Sequence, residues 1–127
     1  MQPILSKFAG PIYVLLRVVI AFLYLCHGLQ KVFGMFGMAG RAHGFFLVAG
    51  IIECVCGALI LIGLLGSLAA FIAAGEMAVA YFYAHAHASL WPVVNHGELA
   101  VAYCFVFLYI AALGSGSLSM DALLKRG

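Results

Sequence analysis

The strongest constraint on this chain is a set of four apolar stretches, each about 20 residues long, with short glycine-rich or polar breaks between them. An α-helix rises about 1.5 Å per residue, so about 20 residues cross the hydrocarbon core of a bilayer. Only 8% of the residues are charged, which is too few to cover the surface of a soluble domain. The pattern predicts one all-α integral membrane domain over residues 1–127, with helices at about 11–33, 44–65, 68–88 and 94–113.

The short breaks force neighbouring helices to run in opposite directions, which predicts an antiparallel four-helix bundle with both termini on one side. Lys7, Lys125 and Arg126 lie on the side of the termini, and Lys31 and Arg41 lie on the other side. Because cytoplasmic loops are enriched in basic residues, this distribution favours cytoplasmic termini. A net charge of +2 on an apolar chain forms no basic face, which argues against nucleic acid as a partner and leaves the lipid bilayer.

Charged side chains within the predicted spans are costly, and such residues usually face the interior of a bundle. Arg17, Glu53 and Glu76 would lie near the middle of the membrane, which predicts a buried ion-pair network of these three residues. Two carboxyl groups near one guanidinium leave one carboxyl in excess, and burial would keep it protonated or make it a proton-transfer site. The alternative is an ion pair that only fixes the register of the helices.

All five histidines fall on the side of the predicted bundle opposite to the termini. Helical phase places polar and aromatic residues on one stripe of each helix, and the stripe of the fourth predicted helix contains Asn95, Glu98, Ala102, Phe105 and Tyr109. If these stripes face inward, they form a polar, aromatic pocket at this side; the alternative is a belt of interfacial anchors. The predicted pocket residues are Tyr24, His27, Lys31, Tyr83, His87, Asn95, His96 and Glu98.

A pocket with histidine and tyrosine donors and a nearby carboxyl group suits a quinone. A metal ion or haem would need three or four converging ligands. The metal candidates are His85, His87 and His96, but the sequence has no Glu-x-x-His or His-Glu-x-x-His spacing. The pattern therefore favours a quinone over a metal or haem, and no motif identifies a catalytic residue.

Four sequence motifs suggest a family. Residues 15–17 and 27–31 read Leu-Leu-Arg and His-Gly-Leu-Gln-Lys, residues 75–86 read Gly-Glu-Met-Ala-Val-Ala-Tyr-Phe-Tyr-Ala-His-Ala, and residues 91–98 read Trp-Pro-Val-Val-Asn-His-Gly-Glu. In these motifs the chain resembles the DoxX family of small four-helix membrane proteins. It departs from the family at His96, where a second glycine is usual, and at residues 114–116, where Gly-Ser-Gly replaces Gly-Pro-Gly.

The resemblance implies a multi-pass protein of the bacterial inner membrane that acts as a membrane subunit or partner of a quinone-linked oxidoreductase. In that role Glu98, His87 and His27 would serve as relay and donor groups. One alternative is a non-catalytic scaffold or assembly subunit of a larger membrane complex, and another is a transporter of protons or a small solute. Each interpretation allows partner subunits or a homo-oligomer, and none decides whether the chain is itself an enzyme.

Overall fold

A computed structural model describes residues 1–37 and 42–124. Within these ranges the chain is helical, with turns and no β-strand. A 3₁₀ turn at Ser6–Phe8 leads into the first helix. The helices are α1 (Ala9–Phe33), α2 (Phe45–Ile62), α3 (Gly66–Ala80), α4 (Pro92–Asn95), α5 (Glu98–Leu113) and α6 (Met120–Leu123).

Three helical segments are long and apolar enough to cross a membrane: Ser6–Phe33, Phe45–Ile62 and Gly66–His85. The fourth apolar helix, α5, has 16 residues and is shorter than these. The prediction of an all-helical membrane protein is confirmed. Three of the basic residues used to predict orientation, Arg41, Lys125 and Arg126, lie outside the described residues.

The last turn of the third apolar segment is a π-helix over Tyr81–His85, so the regular α-helix ends at Ala80. The prediction had continued this helix to residue 88. A π turn takes more residues per turn than an α-helix, so it rotates every side chain that follows it around the helix axis. This rotation decides which histidines reach the interior.

A break between α4 and α5 replaces the continuous start of the fourth predicted helix at residue 94. His96 adopts a left-handed conformation with φ of 62°, which stops α4. The Asn95 side chain bends back, and its Oδ1 accepts a hydrogen bond of 2.8 Å from the Gly97 amide. Its Nδ2 donates to the Tyr81 hydroxyl at 3.0 Å and to the Ser89 carbonyl at 2.8 Å, which ties this loop to the π turn.

Helices α1 and α2 pack closely because each has a glycine that faces the backbone of the other helix. A Cβ atom at Gly28 would lie 2.6 Å from the Cys54 amide nitrogen, and one at Gly57 would lie 3.1 Å from the Leu25 Cα. Small residues allow this approach in membranes, where van der Waals packing replaces the hydrophobic effect as a driving force. The approach brings Lys31 of α1 beside Glu53 of α2.

Helices α3 and α5 pack small side chains against large ones. Ala69, Ala70, Ala73 and Ala74 form a buried alanine face on α3. On α5 the buried residues are Ala100, Tyr103, Phe107 and Ile110. The core that results also contains Tyr24 from α1 and Ile60 from α2.

Candidate functional site

A cavity of about 340 Å³ lies at the end of the molecule where α1 ends and α2 begins. We refer to this region as the open end. Its walls come from α1, α2, α3 with its π turn, and the α4–α5 loop with α5. The polar and aromatic lining residues are Tyr24, His27, Lys31, Phe45, Phe46, Glu53, His85, His96 and Tyr103.

Two polar pairs lie in and behind the cavity wall. Lys31 Nζ forms a salt bridge of 2.7 Å with Oε1 of Glu53, whose side chain is 1% exposed. The Tyr24 hydroxyl donates a hydrogen bond of 2.8 Å to Oε1 of Glu76. In each of Glu53 and Glu76, the second carboxyl oxygen is buried and has no hydrogen-bond partner among the described residues.

The aromatic wall of the cavity is built around Tyr103 of α5. Its ring stacks on Phe107 with centroids 5.8 Å apart and meets Tyr24 edge-on at 5.7 Å. His27 lies edge-on to the same ring at 6.0 Å. These contacts hold the rings in fixed orientations, as aromatic clusters do.

The predicted pocket stripe of α5 is wrong. The structure buries Ala100, Tyr103, Phe107 and Ile110, whereas Phe105 and Tyr109 are 65% and 54% exposed. Because α5 is apolar on every side, the position of Glu98 was the main guide to its inner face. Glu98 is instead exposed at the first turn of α5, where a negative charge suits the positive end of the helix dipole.

Two further predicted pocket residues, Tyr83 and His87, lie outside the cavity, which is also a correction. Both line a separate groove on the outer surface, and Tyr83 stacks on Phe45 with centroids 3.9 Å apart. The π turn is the cause, because it rotates these side chains out of the phase of Glu76. The same rotation brings His85 into the cavity lining.

Asn95 is the remaining predicted pocket residue that does not line the cavity. It is buried, and its hydrogen bonds hold the α4–α5 loop in place. Tyr24, His27, Lys31 and His96 do line the cavity. In the part of the chain that the structure describes, no group of three histidine, cysteine or acidic side chains is placed to hold a metal ion. The metal candidates His85, His87 and His96 therefore do not converge.

The opposite end of the molecule contains Arg17, and we refer to it as the closed end. Arg17 is 2% exposed, and its guanidinium donates to the carbonyl of Ser115 and, at 3.0 Å, to that of Leu118. The carbonyls of Leu61 and Ser117 lie at 3.4 Å. The predicted network of Arg17 with Glu53 and Glu76 is thus wrong, because the segment after α5 folds back and supplies carbonyl acceptors.

Asp121 joins three parts of the closed end. Its carboxylate accepts hydrogen bonds from the Leu65 amide at 2.8 Å, the Gly66 amide at 3.0 Å and the Ser115 hydroxyl at 2.7 Å. The two amides begin α3, where a negative charge is favourable. Near it, the Tyr13 hydroxyl donates to the Gly114 carbonyl at 2.5 Å.

Comparison with known proteins identifies the family. A model of the DoxX family matches residues 12–86, more than half of the chain. The chain belongs to the DoxX family. It is 37% identical to an uncharacterized protein of Haemophilus influenzae over 125 residues, which cover 92% of this chain and 93% of that relative. No solved structure matches the chain significantly.

For this DoxX family protein, sequence reasoning missed Tyr103 and Phe45 as cavity residues and Asp121 as an organising residue. Aromatic residues are frequent along the whole chain, so neither Tyr103 nor Phe45 is distinctive in the sequence. Asp121 is easier to single out from the sequence than either aromatic residue. It is the one acidic residue that follows the last apolar stretch.

Proposed function

We propose that this protein is the membrane subunit or partner of a quinone-linked oxidoreductase, and that it binds the quinone head group in the cavity at the open end. The observation that carries the proposal is a cavity that combines an aromatic wall, cationic and imidazole donors, and the buried carboxyl group of Glu53, with that of Glu76 behind the wall. Its volume lies in the range of about 300 to 1,000 Å³ that is usual for small-molecule sites.

The residues fit a flat ring that carries two carbonyl oxygens. The Tyr103 ring offers an aromatic face, against which a quinone ring can stack. Lys31 has donors besides the one directed at Glu53, and His27 offers a ring nitrogen. A carbonyl oxygen that accepts from either residue would be fixed at the end of the cavity.

When bound, the quinone supplies a redox couple that takes up two electrons and two protons. The chain holds the head group, orients its oxygens and excludes water with apolar walls. The sequence carries no dinucleotide fingerprint. We infer that the electrons come from a redox centre of a partner subunit.

The proposed placement is a four-helix, up-down-up-down bundle in the bacterial inner membrane, with both termini on the cytoplasmic side. This placement is supported by three span-length apolar helices, a fourth shorter one, and hydrogen bonds that gather the start of α1, the end of α2 and the start of α3 at the closed end. The open end then faces away from the cytoplasm, near the outer headgroups.

Binding of a short-tailed ubiquinone or menaquinone analogue to protein in lipid nanodiscs tests the proposal. We expect saturable binding, and Tyr103→Leu should raise the Kd about fivefold because it removes the aromatic face, worth about 1 kcal/mol. Tyr109→Leu is the matched control, since Tyr109 is exposed and does not line the cavity. Absence of saturable binding, or equal effects of the two variants, would overturn the proposal.

A further inference from the structure

Glu53 and Glu76 form a carboxyl pair in the interior of the molecule. Glu53 is 1% exposed and Glu76 is 9% exposed. Each uses Oε1 for a partner on α1, which is Lys31 for Glu53 and Tyr24 for Glu76. The two side chains lie within hydrogen-bonding reach of each other, and the Oε2 atom of each has no donor among the described residues.

Two ionised carboxylates cannot hydrogen-bond to each other, because both offer only acceptors. A single proton converts one of them into a donor, and the carboxyl–carboxylate contact then becomes a charge-assisted hydrogen bond. Two ionised carboxylates in contact in a medium of low dielectric constant repel each other strongly, and one proton removes that repulsion.

The charge balance also favours one proton. Lys31 is the cation bound to the pair, and it neutralises one carboxylate, that of Glu53. Arg17, the other cation buried in the spans, is held by carbonyl groups at the closed end. A second carboxylate would therefore remain as a buried charge without a cation, which is costly inside a membrane protein.

We propose that Glu53 and Glu76 share one proton, and that this pair is a proton-binding site in the wall of the cavity. Glu53 lines the cavity, and Tyr24, which lines it as well, donates to Glu76. The site would therefore hold a proton next to a ligand whose reduction takes up protons. That use of the site rests on the proposed function, whereas the shared proton does not.

The other titratable groups around the pair come from α1, α2, the π turn after α3, the α4–α5 loop and α5. Those that line the cavity beside Glu53 are Tyr24, His27, Lys31, His85, His96 and Tyr103, and Cys54 and Cys56 lie next to the pair on α2. Among these described groups, Lys31 is the one that forms a salt bridge with the pair. The count of one proton therefore depends on the Lys31 salt bridge.

Infrared spectroscopy of the ligand-free protein in nanodiscs at pH 7 tests the inference. We expect a carbonyl stretching band of a protonated carboxylic acid that shifts in D₂O and disappears as the pH is raised. Glu76→Gln should abolish the band, because Glu53 then remains ionised beside Lys31. Glu53→Gln should also abolish it, because Lys31 then becomes available to neutralise Glu76.

Lys31→Met gives a change in the opposite direction. Without the cation both carboxyls should be protonated, so the band should grow to about twice its area. Glu98→Gln is the matched control, since Glu98 is exposed and lies outside the cavity, and it should leave the band unchanged. Circular dichroism of each variant checks that the helices have formed.

The inference is overturned if the wild-type protein has no such band, if the band persists in Glu53→Gln or Glu76→Gln, or if Lys31→Met does not enlarge it. If one of the glutamine variants does not fold, the remaining one and Lys31→Met still decide the question. The infrared test uses protein without quinone, so its outcome does not depend on whether the protein binds quinone. A negative infrared result likewise leaves the proposed quinone binding open to its own test.

Discussion

The closed end and the open end both bury charged side chains, but they satisfy them differently. At the closed end, Arg17 meets backbone carbonyls and Asp121 meets two amides and a hydroxyl. Among the described atoms there, Arg17 Nε is the one buried polar side-chain atom without a partner. At the open end, a cavity adjoins Lys31, and both Glu53 and Glu76 keep an unpartnered oxygen.

The difference teaches what each charge does. A charge that binds several backbone groups fixes the positions of those groups, and it has little capacity left for a ligand. A charge with unused acceptors beside a cavity is costly for stability, and such sites are typical of function. We therefore expect substitutions at the closed end to act mainly on stability and those at the open end mainly on binding.

The largest stability effect is expected for Arg17→Met. This substitution keeps much of the side-chain length but leaves the Ser115 and Leu118 carbonyls without their donor, which should lower the free energy of unfolding by about 3 to 4 kcal/mol. Lys31→Met should cost less, about 1 to 2 kcal/mol, because the buried Glu53 loses its hydrogen-bonded cation but can take up a proton. Reversible unfolding in mixed micelles measures both values. Equal losses at the two positions would remove the distinction between the ends.

A second, smaller effect is expected at Asp121. Asp121→Ala removes the acceptor of the Leu65 and Gly66 amides and of the Ser115 hydroxyl, and should cost about 2 to 3 kcal/mol. Asp121→Asn keeps one acceptor oxygen and should lose about half as much. The same unfolding assay checks this order, and quinone affinity should stay constant in both variants. A fall in affinity comparable to that of Tyr103→Leu would show that the two ends are coupled.

Much of the fold follows from local properties of the sequence. Span length and scarcity of charge predict an all-helical membrane protein, and the burial of Arg17, Glu53 and Glu76 follows from the cost of exposing charge to lipid. The partners of these residues do not follow. Arg17 binds a segment about 100 residues away in the chain, and helical depth alone cannot reveal that the segment folds back.

The cavity was harder to predict because two local irregularities control its lining. The π turn at Tyr81–His85 moves Tyr83 and His87 outward and His85 inward. The break at His96 starts α5 in a phase that a continuous helix would not have. The periodicity of the sequence reveals neither irregularity, so a prediction that assumes 3.6 residues per turn throughout places these side chains wrongly.

The smallest expected effect, at the open end, concerns His96. A non-glycine residue at φ of 62° is strained, and the family resemblance expects glycine at this position. His96→Gly should raise the free energy of unfolding by about 0.5 to 1 kcal/mol, since relief of the strain exceeds the added freedom of the unfolded chain. His96→Ala is the control: it removes the imidazole but keeps the strain, so its stability should not rise.

The two His96 variants also separate strain from ligand contact. If the imidazole contributes to the cavity, both should weaken quinone binding to a similar extent, about fivefold for one lost hydrogen bond. Only His96→Gly should gain stability. That combination would mean that the chain keeps a strained residue at the open end for binding. A gain in stability without a loss of affinity would instead mean that His96 does not contribute to binding.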